Sequence, residues 1–128
     1  MNILKAIKKA QIKLIKKNIR SSIIDSEILM SKVLNKEREY IILNLKKKLN
    51  QKDLNYYKFL VNERSKGKPI AYITGKKFFW KYEFNVNENV LIPRPDTELI
   101  IEEILKITKN KIRLRVLDIG IGSGCILL

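Results

Sequence analysis

The sequence predicts an α-helical N-terminal bundle, a β-hairpin linker and the start of an open α/β domain. Three observations predict this order. Apolar residues recur at helical spacing over residues 1–67, apolar and polar residues alternate at 82–86, and an apolar segment at 115–119 runs into a glycine-rich turn. Periods of about 3.6 and about 2.0 residues distinguish helices from strands. We therefore expect three parts, with boundaries at residues 1–67, 68–95 and 96–128.

Two amphipathic helices are predicted first. Over residues 3–19 the apolar side chains fall on one face, with lysines on the opposite face. Ser21 and Ser22 break this pattern. Ser22 is predicted to cap the second helix, because a serine followed three residues later by an acid, here Asp25, is typical of a helix start. Leu29 is the predicted core residue of this second helix.

A short apolar segment at residues 40–45 precedes a third long helix. Asn50 is its predicted N-cap, since a short polar side chain can accept a hydrogen bond from the first turn. Asp53 lies favourably near the positive end of the helix dipole. Leu60 is the predicted core residue, and Gly67 is predicted to end the helix. The first part is therefore expected to be a small bundle that folds without the rest of the chain.

The linker is predicted to be a β-hairpin. Residues 70–74 are β-prone, and residues 82–86 alternate in the way that is typical of a strand with one buried face. Residues 87–89, Asn-Glu-Asn, indicate a turn. Residues 90–92 are predicted to form the second strand of the hairpin, which Pro93 ends.

The third part is predicted to begin with a helix at Asp96 or Thr97, whose side chains can cap it. Residues 109–113 form a polar loop, and residues 115–119 are predicted to be a strand. Val116, Leu117 and Ile119 of that strand favour a position covered on both faces, as in a parallel sheet. The apolar face of the helix consists of Ile100, Ile101, Ile104 and Leu105.

The glycine-rich turn is the most informative segment for function. Gly120, Gly122 and Gly124 follow the predicted strand in the pattern Gly-x-Gly-x-Gly. Glycines let the backbone approach a ligand with no Cβ in the way, and such a turn forms one wall of a cofactor cleft in open α/β sheets. The pattern differs from the fingerprints of dinucleotide folds and phosphate loops. With Asp118 two positions earlier, it resembles the first motif of class I, Rossmann-like S-adenosylmethionine methyltransferases. On this motif alone, a nicotinamide enzyme and a purely structural turn stay open.

A second set of residues narrows the resemblance. Residues 67–75, then Phe79-Trp80, then residues 90–98 with their Pro-Arg-Pro-Asp-Thr-Glu stretch resemble the protein-(glutamine-N5) methyltransferases of peptide chain release factors. The resemblance covers the whole chain. It implies transfer of a methyl group from S-adenosylmethionine to the glutamine side-chain amide of the Gly-Gly-Gln motif in class 1 release factors. It also implies an enzyme that acts in translation termination, and the single cysteine makes a cytoplasmic setting the default. The chain is expected to be a monomer.

The resemblance implies site residues as well. Ile121 stands where family members often have threonine, which removes a hydroxyl that could bond the loop or the cofactor. The family's Asn-Pro-Pro-Tyr motif and its ribose-binding acid do not occur in these 128 residues, so they hold no expected catalytic residue and are expected to be inactive alone. The implied cofactor-binding residues are Asp118, Gly120, Ile121, Gly122, Ser123 and Gly124, and the implied substrate-side residues are Arg94, Pro95 and Thr97.

Composition restricts the other possibilities. The net charge is +14, from 27 basic and 13 acidic residues, which predicts either attraction to RNA or an acidic partner, or compositional drift in a lysine-rich sequence. Nucleic-acid binding is not favoured, because no aromatic residues interleave the lysines. One cysteine, Cys125, and no histidine argue against a disulfide or a metal site. No apolar run reaches the ~18–20 residues that span a bilayer. The alternative function is a non-catalytic release-factor-binding or basic RNA-binding helical module.

Overall fold

Five helices make up the first unit of the chain, Met1–Thr74, in a computed structural model that describes residues 1–127. The second unit begins at Gly75. The helices of the first unit are α1 (Ile3–Ile15), α2 (Ser22–Leu34), α3 (Arg38–Leu43), α4 (Gln51–Ser65) and α5 (Ile70–Thr74). Helices α1, α2 and α4 pack against one another, and no helix among the described residues is long and apolar enough to cross a membrane.

Helix α1 begins at a side-chain cap. Asn2 Oδ1 accepts a hydrogen bond from the backbone N–H of Lys5 at 2.9 Å. The N–H of Ile3 donates to the carbonyl of Lys47 at 3.0 Å, so the segment after α3 satisfies a donor that the helix start leaves free. The lysines lie mostly on the exposed face, as the helical period predicts. The buried face of α1 consists of Ile3, Ala6, Ile7, Ala10 and Leu14.

The start of α2 corrects one prediction. Ser22 is the first helical residue and is buried, so the prediction that it caps the helix is wrong. Ser21 occupies the cap position, but its hydroxyl donates to Asp25 Oδ2 at 2.8 Å instead of capping a backbone N–H. The reason is tertiary, because the same carboxylate oxygen also accepts from Arg64 Nε at 2.7 Å. The buried ion pair between α2 and α4 therefore directs the Ser21 hydroxyl to Asp25 instead of to a backbone N–H.

Helix α4 begins and ends as predicted. Asn50 Oδ1 accepts from the backbone N–H of Asp53 at 2.7 Å, which confirms the N-cap. The helix ends at Ser65, and Gly67 adopts φ +98°, a left-handed conformation that a residue without a Cβ adopts at little cost. Both ends are thus specified by residues close to them in the sequence.

The core of the first unit confirms the two predicted central leucines. Leu29 is 0% exposed and Leu60 is 4% exposed. Tyr57 lies among them, and its hydroxyl donates to the carbonyl of Ser26 at 3.0 Å, so its polar atom is satisfied inside the core. The buried cluster extends from α1 to Ile73 of α5, and all of its members lie within Met1–Thr74.

Residues 70–74 were predicted to be β-prone, and this prediction is wrong because they form helix α5. Pro69 precedes the helix, and its carbonyl accepts from the backbone N–H of Ile73 at 3.2 Å. The side chain of Ile73 joins the core, and α5 packs against α2 and α4. Strand propensity is a weak preference, and packing against a helical core overrides it here.

The predicted hairpin is present, but it uses a different partner strand. Strand β1 (Lys76–Phe79) pairs antiparallel with β2 (Tyr82–Asn85), and Phe79 lies opposite Tyr82. The two-residue turn places Trp80 at φ +55°, as tight hairpin turns require. Phe79 and Phe84 are buried with ring centroids 6.2 Å apart at 76°, an edge-to-face arrangement.

The predicted second strand at residues 90–92 is wrong. Residues 87–89 do turn, and the N–H of Val90 donates to the carbonyl of Asn87 at 3.2 Å. The chain then continues without strand structure into Pro93. Strand β2 already pairs with β1, and Pro93, which directly follows residues 90–92, cannot donate a ladder hydrogen bond. Residues 90–92 are therefore left out of the sheet.

Helix α6 (Glu98–Thr108) follows a short 3₁₀ turn at Pro95–Thr97, so the predicted helix is confirmed, although neither Asp96 nor Thr97 forms a side-chain cap. The predicted strand at residues 115–119 is wrong, because no strand is assigned there. Leu117 is 84% exposed and Ile119 is 88% exposed. A strand of this apolar kind needs hydrogen-bonded neighbours, and within residues 1–127 the one sheet consists of β1 and β2.

Candidate cofactor site

The glycine-rich loop follows α6 and the exposed segment at residues 115–119. Gly120, Gly122 and Gly124 have φ values of +82°, +54° and +77°. All three are in the left-handed region, which side chains with a Cβ rarely adopt. The N–H of Gly124 donates to the carbonyl of Ile121 at 2.8 Å, which closes a tight turn within the loop. The backbone conformation at these three positions therefore favours glycine.

The space around the loop is open on the side of the glycines. A Cβ at Gly120 or Gly124 would meet nothing within 4 Å, and one at Gly122 would lie 3.8 Å from the carbonyl oxygen of Gly120. Crowding within the chain therefore does not explain the glycines, and the backbone conformation does. Ile121 is 51% exposed, and Ser123 is half-buried.

Asp118 carries the most unusual polar atom of this segment. Its Oδ2 is buried, yet it has no hydrogen-bond partner among the described residues. A buried carboxylate oxygen without a donor is unfavourable by ~1–3 kcal/mol or more, since it loses its hydration and gains nothing in return. A ligand with N–H or O–H groups would supply the missing donor. The atom thus fits a cofactor that carries an amino group.

The predicted substrate-side residues lie at the start of α6. Arg94 is exposed, and its carbonyl accepts from the N–H of Thr97 at 3.0 Å across the 3₁₀ turn that contains Pro95. The structure therefore brings these three residues together. Within residues 1–127, no hydrogen bond or ion pair joins them to the loop at 118–124.

Glu98 joins the hairpin turn to the start of α6, a contact that the sequence did not predict. Its Oε1 accepts a hydrogen bond from the backbone N–H of Trp80 at 2.9 Å. Trp80 occupies the hairpin turn at φ +55°, so the bond ties that turn to the first residue of α6. Both residues belong to the motif segments that resemble the methyltransferase family, and that shared membership was the available signal. The hydrogen bond also holds the start of α6, which directly follows Arg94 and Thr97.

Comparisons with known proteins identify the family of the chain. The family model for the PrmC N-terminal domain matches residues 5–75. A release factor glutamine methyltransferase of Leptospira interrogans is 46% identical over 126 residues, covering 98% of this chain and 44% of that protein. A release factor glutamine methyltransferase of Buchnera aphidicola is 42% identical over 128 residues, covering 100% of this chain and 46% of that protein. A bifunctional methyltransferase of Rickettsia felis is 35% identical over 152 residues, covering 98% of this chain and 29% of that protein.

These relatives are all named methyltransferases, so the chain is similar to proteins of that class. The chain belongs to the PrmC family, because the match to the N-terminal domain covers more than half of its residues. The resemblance to glutamine methyltransferases of release factors is thereby confirmed. The chain spans less than half the length of the relatives named above.

Proposed function

We propose that this chain is part of an enzyme that methylates the glutamine side-chain amide in the Gly-Gly-Gln motif of class 1 peptide chain release factors, with S-adenosylmethionine as methyl donor. Membership of the PrmC family supports the reaction and the substrate. The observation that supports S-adenosylmethionine as the cofactor is the unpartnered, buried Oδ2 of Asp118 next to three glycines in left-handed conformations.

The residues of the loop bind and orient the cofactor. S-Adenosylmethionine, when bound, supplies a methyl group activated by the sulfonium. Asp118 accepts hydrogen bonds from donors of the loop or from the cofactor's amino group, which satisfies its free oxygen. Gly120, Gly122 and Gly124 keep Cβ atoms out of the approach, while Ile121 and Ser123 line the same turn.

The start of α6 belongs to the substrate side. Arg94, Pro95 and Thr97 lie in one turn, and the hydrogen bond from Trp80 to Glu98 keeps that turn in position. Orientation of an amide nitrogen toward the methyl group is the main requirement of this reaction, because its lone pair is delocalised and positioning alone can lower a barrier by ~7–11 kcal/mol. The helical unit helps to hold the release factor, and the enzyme acts as a cytoplasmic monomer.

Two measurements test the proposal. The full-length protein, incubated with a purified release factor and S-adenosylmethionine, is expected to add one methyl group to the Gly-Gly-Gln peptide, as detected by mass spectrometry. In calorimetric titration, Asp118→Ala is expected to bind S-adenosylmethionine about tenfold more weakly or worse, because it loses a charge-assisted hydrogen bond. Glu102→Ala in α6 removes the same charge from an exposed position and serves as the control.

Two outcomes contradict the proposal. Methyl groups found only in RNA or DNA exclude the release factor as substrate. Equal cofactor affinity for Asp118→Ala and Glu102→Ala excludes the assigned role of the carboxylate, even if the enzyme methylates its protein substrate.

A further inference from the structure

A groove runs between α1 and α4 in the helical unit. Ala6 and Ala10 lie one turn apart on the same face of α1, and their short side chains do not fill the space beside Leu54 and Val61 of α4. The result is a cavity of about 270 Å³ that is open to solvent. A pair of alanines at this spacing therefore creates a recess where longer side chains would have completed the core.

The floor of the groove is apolar and well ordered by packing. Ala6, Ala10 and Val61 are at most 4% exposed, and Leu54 is 8% exposed. Tyr57 also lines the groove, but its hydroxyl donates to the carbonyl of Ser26 and is not free for a ligand. The floor thus offers contact to an aliphatic side chain and no polar group to bind.

The rim of the groove is cationic. Lys9 and Lys13 of α1 and Lys58 of α4 surround the apolar floor, and no acidic residue lines it. Within residues 1–127, the side chains of Lys9 and Lys58 form neither an ion pair nor a hydrogen bond, and Lys13 Nζ donates to the neutral amide oxygen of Asn62 at 2.9 Å. None of the three ammonium groups is therefore neutralised by the protein itself.

A few lysines outside the groove form ion pairs. Lys66 Nζ lies 2.7 Å from Glu63 Oε1, and Lys76 Nζ lies 2.6 Å from Glu83 Oε1. The rim lysines are grouped around an apolar recess, and no carboxylate is among the described residues that line it. An apolar floor with an unneutralised cationic rim is complementary to an aliphatic side chain flanked by carboxylates.

We propose that the α1–α4 groove is a docking site for an acidic peptide segment of a partner protein. One aliphatic side chain of the segment lies on the floor formed by Ala6 and Ala10, and flanking carboxylates pair with Lys9 and Lys58. This goes beyond the proposed methyl transfer, because none of the groove residues belongs to the cofactor loop or to the turn at Arg94.

A nucleic acid fits this surface less well. Binding of single strands relies on exposed aromatic rings on which bases stack, together with a cationic track for the phosphates. Tyr57 is the aromatic residue among those that line the groove, and its ring is 2% exposed. Phosphates could pair with the lysines, but the apolar floor would stay unfilled. The floor therefore favours a peptide over RNA.

Fluorescence anisotropy with defined peptides tests the proposal. The probe is a short labelled peptide of glutamate and aspartate with one central leucine, and its partner is the same peptide with glycine at the centre. The leucine peptide is expected to bind the chain at low ionic strength, about tenfold tighter than the glycine peptide, because only leucine fills the floor. The double variant Lys9→Glu/Lys58→Glu is expected to weaken binding of the leucine peptide by about tenfold or more.

A matched control separates the groove from the general positive charge. Lys8→Glu/Lys52→Glu changes the net charge equally, with one exposed lysine on α1 and one on α4, and neither residue lines the groove. We expect this control to weaken binding less than about threefold, a residual long-range effect. Circular dichroism of both variants checks that the helices are intact. Absence of binding, equal affinity for the two peptides, equal loss in both variants, or preferred binding of a single-stranded RNA of the same length overturns the proposal.

Discussion

The ion pair between Asp25 and Arg64 offers the sharpest test of how the helical unit is held together. Asp25 Oδ2 lies 2.7 Å from Arg64 Nε, and the two side chains are only 3% and 15% exposed. The same oxygen accepts from the Ser21 hydroxyl at 2.8 Å, and the guanidinium also donates to the carbonyl of Lys68 at 3.0 Å. These contacts join the start of α2 to the end of α4 and the segment that follows it.

Removal of one partner should be costly, because the other charge then stays in a poorly hydrated place. After Asp25→Ala, the Arg64 guanidinium keeps its hydrogen bond to the Lys68 carbonyl but has lost its ion pair. From the typical cost of breaking a buried pair, we expect the free energy of unfolding to fall by ~3–5 kcal/mol. Replacement of both residues, as Asp25→Ala/Arg64→Met, should cost less than the sum of the single changes, since no charge is then left unpaired.

An exposed ion pair serves as the control. Arg38 Nε lies 2.6 Å from Glu27 Oε2, but the Arg38 side chain is 47% exposed, so Arg38→Ala is expected to cost ~0–1 kcal/mol. Urea unfolding followed by far-ultraviolet circular dichroism measures all variants. If Asp25→Ala costs no more than Arg38→Ala, or if the double change costs the full sum of the single ones, burial does not determine the cost of breaking this ion pair.

Two further predictions concern the core. Leu29→Ala is expected to lower the free energy of unfolding by ~2–5 kcal/mol in the same urea assay, against less than about 1 kcal/mol for Ile23→Ala, whose side chain is 58% exposed; similar losses would contradict the assigned core. Burial raises the pKa of Tyr57 above its ordinary value of 10.0, so above about pH 10 the unfolded state releases a proton that the folded state keeps, and stability falls as pH rises. Tyr57→Phe should reduce this slope in urea melts between pH 9 and pH 11, and an unchanged slope would exclude Tyr57 as its source.

Part of the fold could be predicted from neighbours in the sequence. The Asn50 cap is a bond between a side chain and the backbone three residues later, and Gly67 ends α4 through its own φ of +98°. Leu29 and Leu60 follow from the helical period of apolar residues. The glycine pattern at residues 120–124 likewise indicates a sharp turn, and the three glycines have positive φ values. Their role in cofactor binding stays a prediction.

Other features depended on partners far along the chain. Ser22 satisfies the local rule for a cap, yet Asp25 is taken by Arg64, which lies 39 residues away. Residues 90–92 have strand-like composition, but β2 pairs with the segment that precedes it. A strand forms only by pairing with a neighbouring strand, whereas strand propensity depends on composition alone. Composition therefore could not decide whether β2 pairs with the segment before it or with residues 90–92.

The sequence by itself determined the periods of the long helices, the two ends of α4 and the family motifs, because each of these rests on residues within a few positions of one another. Only the tertiary structure decided that residues 70–74 are a helix, that Glu98 accepts from Trp80, and that Ala6 and Ala10 leave a lysine-rimmed groove. Those features arise when distant segments compete for the same packing space and the same hydrogen-bond donors, and their energies exceed the small differences in local propensity.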